Sequence, residues 1–289
     1  MRDMSKGRTI FYDYNANVDI ALPSREALQK SLGDMDVMAE YTICAVRSMK
    51  YNSAKSKLTH QMYIEKKAIK HQVNMRGCDY NANIERDLCK TFMLNSYAML
   101  DVFVNQYRID IKQLIDPSFC LLNDDTKSKV DKLLIALKGV GIVPECKEWI
   151  LQCLEYYRYV RNGTAHNPSF IEKSKTAFHA INKEKLWDEY PVFAHKAPNA
   201  PDRICVDDFY FYSACIKHFA NYLVMALKGK VDWKKATVFH PKFQCENIPA
   251  GTNPRVWVNG VLHEYKYNAS DEVKNYIVEY IKENKQTKK

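Results

Sequence analysis

Glu148-Trp149-Ile150-Leu151-Gln152-Cys153-Leu154-Glu155-Tyr156-Tyr157-Arg158-Tyr159-Val160-Arg161-Asn162-Gly163-Thr164-Ala165-His166 is the stretch that decides how this chain reads. Ile150, Leu154 and Tyr157 recur at steps of four and three, so they share one face of a helix. The next position on that face is Arg161, where the periodicity asks for an apolar side chain. A guanidinium there needs a partner or a cleft, because an unpaired buried charge is costly. Arg158 is rotated off this face and reads as a surface arginine. Gly163 reads as the left-handed residue that ends the helix, and Asn167-Pro168 as an extended exit. A short turn then returns His166 beside Arg161 and Asn162. The C-terminal end of a helix favours cations, and an imidazole placed there suits general acid–base work.

Outward from this helix the same periodicity marks three more. One covers about 84–107, with Ile84, Leu88, Phe92, Tyr97, Leu100, Val104 and Tyr107 in register and Asn83 as N-cap. A second, near 126–138, faces Val130, Leu133, Leu134 and Leu137 one way and stops at Gly139 and Gly141. A third, 207–227, carries Tyr212, Cys215, Ile216, Phe219, Leu223 and Leu227. Four such stripes mean helices packed on one another. Two or three helices are expected between 24 and 73. Residues 167–206 read as a long proline-punctuated loop, with Pro168, Pro191, Pro198 and Pro201. In the tail, Asn259-Gly260 between apolar runs reads as a hairpin over 255–265, followed by a last amphipathic helix over 270–283. The expected fold is all-α: an N-terminal basic helical extension (1–82), a helical core (83–228) and a small hairpin-plus-helix appendage (229–289).

The chain has 289 residues and a formal net charge of +9. The charge is uneven: +5 over residues 1–76, −1 over 77–227 and +5 over 228–289. Its densest stretch, Arg47 to Arg76, holds Lys50, Lys55, Lys57, Lys66, Lys67 and Lys70 against Glu65. Basic flanks around a neutral middle suit a polyanion such as RNA, or else form a solubilising face. Nine cysteines include no Cys-x-x-Cys pair. Several fall in apolar stripes, which points to reduced thiols in a cytoplasmic protein rather than to disulfides or zinc. The N-terminus lacks an apolar signal core, and no run reaches the length of a membrane span. Gly139-Val140-Gly141 follows a helix and meets Pro144 where a dinucleotide loop has its third glycine, and no Walker loop or Gly-x-Ser-x-Gly elbow is present. No cofactor and no metal are expected. Asp124-Asp125 and Asp207-Asp208 sit at helix starts and read as caps. Half of Phe209-Tyr210-Phe211-Tyr212 must face the core.

Arg161-Asn162-Gly163-Thr164-Ala165-His166 resembles the signature of HEPN domains: Arg, a polar residue, a few variable positions, then His. The setting is similar too, with the motif at the end of the third helix of a bundle and a long helix behind it. The resemblance covers roughly 83–228. It implies an endoribonuclease, of toxin or defence-effector type, that cuts RNA without a metal. The substrate's 2′-hydroxyl attacks the adjacent phosphate, leaving a 2′,3′-cyclic phosphate and a 5′-hydroxyl. By the family pattern His166 is general base or acid, Arg161 stabilises the phosphorane and Asn162 orients the phosphate or the imidazole. The resemblance also implies a homodimer with a composite site. Such an activity needs control by a partner, such as an antitoxin or a sensor protein. Pro168 stands second after His166, where members paired with nucleotidyltransferases carry Tyr, so that subtype is not the one implied. Ser96 and Asp101 are further polar candidates for the cleft.

The residues leave other readings open. Arg161 can serve a structural ion pair, with Glu155 or a distant acid, and His166 can cap a carbonyl. The same bundle can be a non-catalytic module that binds a nucleotide or a protein, or a helical scaffold.

Overall fold

The computed structural model describes residues 20–75, 79, 83–165 and 169–286. The fold is all-helical, with no strand among the described residues. In chain order the helices are α1 (Pro23–Lys55), α2 (His60–Lys70), α3 (Ile84–Leu114), α4 (Lys129–Gly139), α5 (Glu148–Ala165), α6 (Phe170–Ala180), α7 (Lys183–Glu189), α8 (Val206–Met225), α9 (Trp233–Thr237), α10 (Pro254–Glu264) and α11 (Asp271–Gln286). The described residues fall into two compact units: one within 31–97 and 152–214, the other within 20–30, 98–151 and 215–286. The unit boundaries therefore fall inside α1, α3, α5 and α8, and each unit draws on several of the sequence segments.

In the first unit, the N-terminal part of α3 packs on α8 through Phe92 and Phe209, whose ring centroids lie 5.4 Å apart. Tyr157 of α5 meets Tyr212 of α8 at 4.9 Å. Phe209, Phe211 and Tyr212 are fully buried, so the aromatic run at the start of α8 builds core, as expected; each such ring contributes roughly 1.5–3 kcal/mol of burial. Asn83 caps α3 by accepting from the Arg86 amide. Arg47 of α1 pairs with Glu85 of α3.

Residues 167–206 depart from the expected loop. Their described part forms α6, α7 and a 3-10 turn over Pro191–Phe193. Pro191 opens the 3-10 turn, and Pro198 and Pro201 follow it instead of breaking a helix. Asn182 accepts from the Lys185 amide as the α7 cap, and the Trp187 indole N–H donates to the Ala197 carbonyl at 3.1 Å.

The other unit has its own core. Val104, Tyr107 and Ile111 of α3, Leu133 and Leu137 of α4, and Phe219 and Leu223 of α8 are all buried. Tyr107 donates its hydroxyl to the Leu223 carbonyl at 2.9 Å. The expected hairpin is α10. Val258, Val261 and Leu262 are its buried residues, a helical spacing, and Asn259-Gly260 lies mid-helix. Asn253 caps α10 by accepting from the Arg255 amide, and Pro254 takes the first helical position. This Asn-Pro start outweighs the turn propensity of Asn-Gly. α10 packs on α11, and Trp233 meets Tyr265 edge-on at 5.3 Å and Tyr267 in a tilted pair at 5.2 Å.

Candidate active site

α5 buries a wide face: Trp149, Ile150, Cys153, Leu154, Tyr156, Tyr157 and Val160 are each at most 6% exposed. The stripe Ile150–Leu154–Tyr157 is therefore real, and Arg161 continues it at intermediate burial. Tyr97 and Asn162 brace the guanidinium. Its Cζ lies 4.7 Å from the centroid of the Tyr97 ring of α3, and its Nη1 donates to Asn162 Oδ1 at 2.8 Å. A cation over an aromatic face gains about 0.5–2 kcal/mol, more as the pair is desolvated. With the amide oxygen of Asn162 engaged by Arg161, what Asn162 offers a ligand is its N–H donors.

Arg158 is not an ordinary surface arginine. Its Nε and Nη2 donate to Glu155 at 2.7 and 2.5 Å, and its guanidinium lies 4.4 Å from the Tyr159 centroid. Burial works against the Glu155 carboxylate, but the Arg158 hydrogen bonds prevail and hold it below the usual carboxylate range. Glu155 is thus the partner of Arg158 rather than of Arg161.

The orientation of α5 is fixed one turn before Arg161. The Tyr157 hydroxyl donates to Asp208 Oδ1 of α8 at 2.9 Å. Asp208 is fully buried and also accepts from the Asn199 amide at 2.8 Å, the Asn199 side-chain amide at 2.9 Å and the Cys205 amide at 2.9 Å. Burial still pushes its carboxyl above the ordinary value, with those donors pulling the other way. Asp208 is a structural junction of α5, α8 and the segment before α8, and more than the simple cap its position suggested.

Gly163 does not end the helix. α5 continues to Ala165, and Thr164 Oγ1 donates back to the Val160 carbonyl at 2.9 Å. Gly163 instead faces the start of α6, where an added Cβ would lie 3.6 Å from Ile171 Cγ1. His166 and the Asn167-Pro168 exit lie outside the described residues. In sequence, His166 directly follows the last residue of α5.

Beside this helix end, a cleft of about 240 Å³ is lined by Tyr159, Val160, Gly163, Thr164, Ile171 and Pro201, with Lys90 and Lys175 adding positive charge and Asp202 negative. Neither Arg161 nor Asn162 lines it. The candidates on α3 do not supply cleft groups either: Ser96 is fully buried and donates to the Phe92 carbonyl of its own helix, and Asp101 pairs with Lys129 at 2.8 Å. Tyr97, which sequence reasoning placed among the core positions, is the α3 residue that touches the motif.

The six lysines lie on or next to the C-terminal half of α1 and α2. Lys50, Lys55, Lys57, Lys66 and Lys70 are exposed, and Lys67 is half-buried. Lys55 and Lys67 lie over the rings of Tyr51 and Tyr63. His240 and Cys245, the nearest approach to a metal pair in sequence, are engaged elsewhere: His240 Nε2 meets the Tyr265 hydroxyl at 3.2 Å and Cys245 donates to the Ile281 carbonyl. No cluster of three metal-ligating side chains occurs among the described residues, and no described helix is long and apolar enough to cross a membrane.

Compared with protein-family models, with curated proteins and with solved structures, the chain has no match.

Proposed function

We propose that the chain is a HEPN-type endoribonuclease that cuts RNA through its own 2′-hydroxyl, without a metal, to leave 2′,3′-cyclic phosphate and 5′-hydroxyl ends. One observation carries the reading. Arg161 stands at the last turns of a helix whose same face is otherwise core, and this half-buried cation has its guanidinium braced by Tyr97 and Asn162. A planar cation held in this way is suited to two oxygens of a phosphorane. His166, next in sequence after the helix, takes the proton from the 2′-hydroxyl or gives one to the leaving 5′-oxygen. Asn162 donates to the phosphate.

One imidazole cannot begin a turnover as both base and acid. A homodimer that brings two motifs to one cleft divides the roles, and the reading includes it. Exposed lysines of the α1–α2 segment draw the polyanion in. The reading places the enzyme in the cytoplasm as a toxin or defence effector held in check by a partner. Cys89, Cys153 and Cys215 support a reducing setting, because each is a buried, unbridged thiol.

The test is incubation of the full chain with a mixed RNA pool in excess EDTA, beside Arg161→Ala and His166→Ala. The reading expects cleavage by the parent protein and none by either variant. Intact RNA that the protein nonetheless binds would replace the enzyme with a binding module.

A further inference from the structure

The C-terminal half of α1, α2 and the first residue of α3 enclose an open groove of about 580 Å³. Val46, Met49, Ile64, Ala68, Val73 and Ile84 give it an aliphatic lining. Lys50 and Lys67 stand within it, against Asp79 as the acid on the lining. α2 has no buried residue. Several of the lining side chains are themselves open to solvent: Val73 is 54% exposed, Ile84 41% and Met49 38%. Contiguous exposed apolar surface of this kind marks an interaction site.

The chemistry of the groove selects its occupant. Lysines alone would suit an RNA backbone, but the lining between them is aliphatic, and unpaired bases need aromatic faces to stack on. Tyr51 and Tyr63 already carry lysine ammonium groups at 4.4 and 5.5 Å from their centroids. An aliphatic floor with lysines at its edge complements a helix that is apolar on one side and acidic on its flanks. We infer that this groove docks an acidic amphipathic helix of a protein partner, with aliphatic residues at i, i+3 or i+4, and i+7 entering the groove and Asp or Glu meeting Lys50 and Lys67. The groove stands whether or not the chain cleaves RNA. If it does, a helix seated there covers lysines that would otherwise attract substrate, which gives the partner a means of control.

Selection from a display library of helical peptides of about 20 residues, with leucines fixed along one face and flanking positions drawn from Glu, Lys, Gln and Ala, tests this on the full chain. Acidic members should be enriched and should bind one to one. Val73→Asp and Ala68→Glu should each weaken the selected peptides about tenfold or more. Val73 is exposed enough that its substitution leaves the fold intact, as helicity by circular dichroism checks. Lys50→Glu combined with Lys67→Glu should turn the enrichment toward basic peptides. Enrichment indifferent to charge, or affinity unchanged in Val73→Asp, overturns the inference. So does binding of an unstructured RNA or of anionic vesicles that is lost in the double lysine variant while no peptide is enriched.

Discussion

The guanidinium of Arg161 lies 4.7 Å from the ring centroid of Tyr97, so the one charged residue on the buried stripe of α5 is seated on an aromatic ring of α3. The ring braces the cation through its face, and Nη1 donates to Asn162 Oδ1 at 2.8 Å.

Removing the guanidinium should therefore abolish function without unfolding the chain. Arg161→Ala is expected to lower the rate of RNA cleavage by about 100- to 1000-fold, the usual loss of one transition-state donor. Arg161→Lys should recover little of it, since an ammonium lacks the planar fork. Rates measured beside thermal melts separate chemistry from stability.

Tyr97 is a positioning residue by this geometry. Tyr97→Leu should lower kcat by roughly 2- to 30-fold, in line with a cation–π contact of about 0.5–2 kcal/mol. Tyr97→Phe keeps the ring and should restore the rate, whereas a merely structural role for the residue would leave kcat unmoved in both.

Arg158 offers the contrast. It is committed to Glu155 three residues earlier, a part-exposed pair worth about 1 kcal/mol or less. Arg158→Ala should leave cleavage within about threefold of the parent rate, which is little more than RT in the barrier.

Tyr157 and Asp208 set the rotation of α5. Tyr157→Phe removes one donor from a carboxylate that is fully buried, which should cost about 1–3 kcal/mol in urea unfolding. Asp208 keeps its Asn199 and Cys205 donors, so the variant should still fold.

His240 gives a pH dependence. Its Nδ1 accepts from the Lys242 amide and its Nε2 meets the Tyr265 hydroxyl, an arrangement that fits the neutral ring. Burial, with Lys242 next, pushes its pKa down to about 4 from 6.5. A group depressed in this way stabilises the fold above pH 6.5, and that stability drains away as the pH falls toward 4. The loss by pH 5 should be about 2 kcal/mol. Asp110, raised by burial to about 6, works in the opposite direction, so the reading lies in a difference. His240→Asn keeps an acceptor for Lys242 and does not titrate. It should therefore lose less stability than the parent between pH 8 and pH 5 in paired unfolding curves.

The helices were legible where one face is buried over several turns. α3, α5 and α8 show this, and the interruption at Arg161 was visible in the sequence for the same reason. Elements whose ends depend on distant partners were not. Gly163 reads as a stop, but the start of α6 packs against it and the helix continues to Ala165. Asn259-Gly260 reads as a turn, yet Val258, Val261 and Leu262 bury at helical spacing once Asn253 and Pro254 have started α10. The role of Asp208 was out of reach because its donors come from Tyr157, Asn199 and Cys205 together, and no local pattern links the first of these to the others. Tyr97 was seen as one more core position, since the cation it carries lies 64 residues away in sequence.

The central claim is that Arg161 and His166 hold one phosphate. A structure of the protein bound to a short RNA made uncleavable by a single 2′-deoxy substitution at the scissile position addresses this most directly. The account expects that phosphate within hydrogen-bond reach of both the Arg161 guanidinium and a His166 imidazole, from the same subunit or from the other copy in the dimer. RNA seated elsewhere, with neither group touching a phosphate, would contradict it.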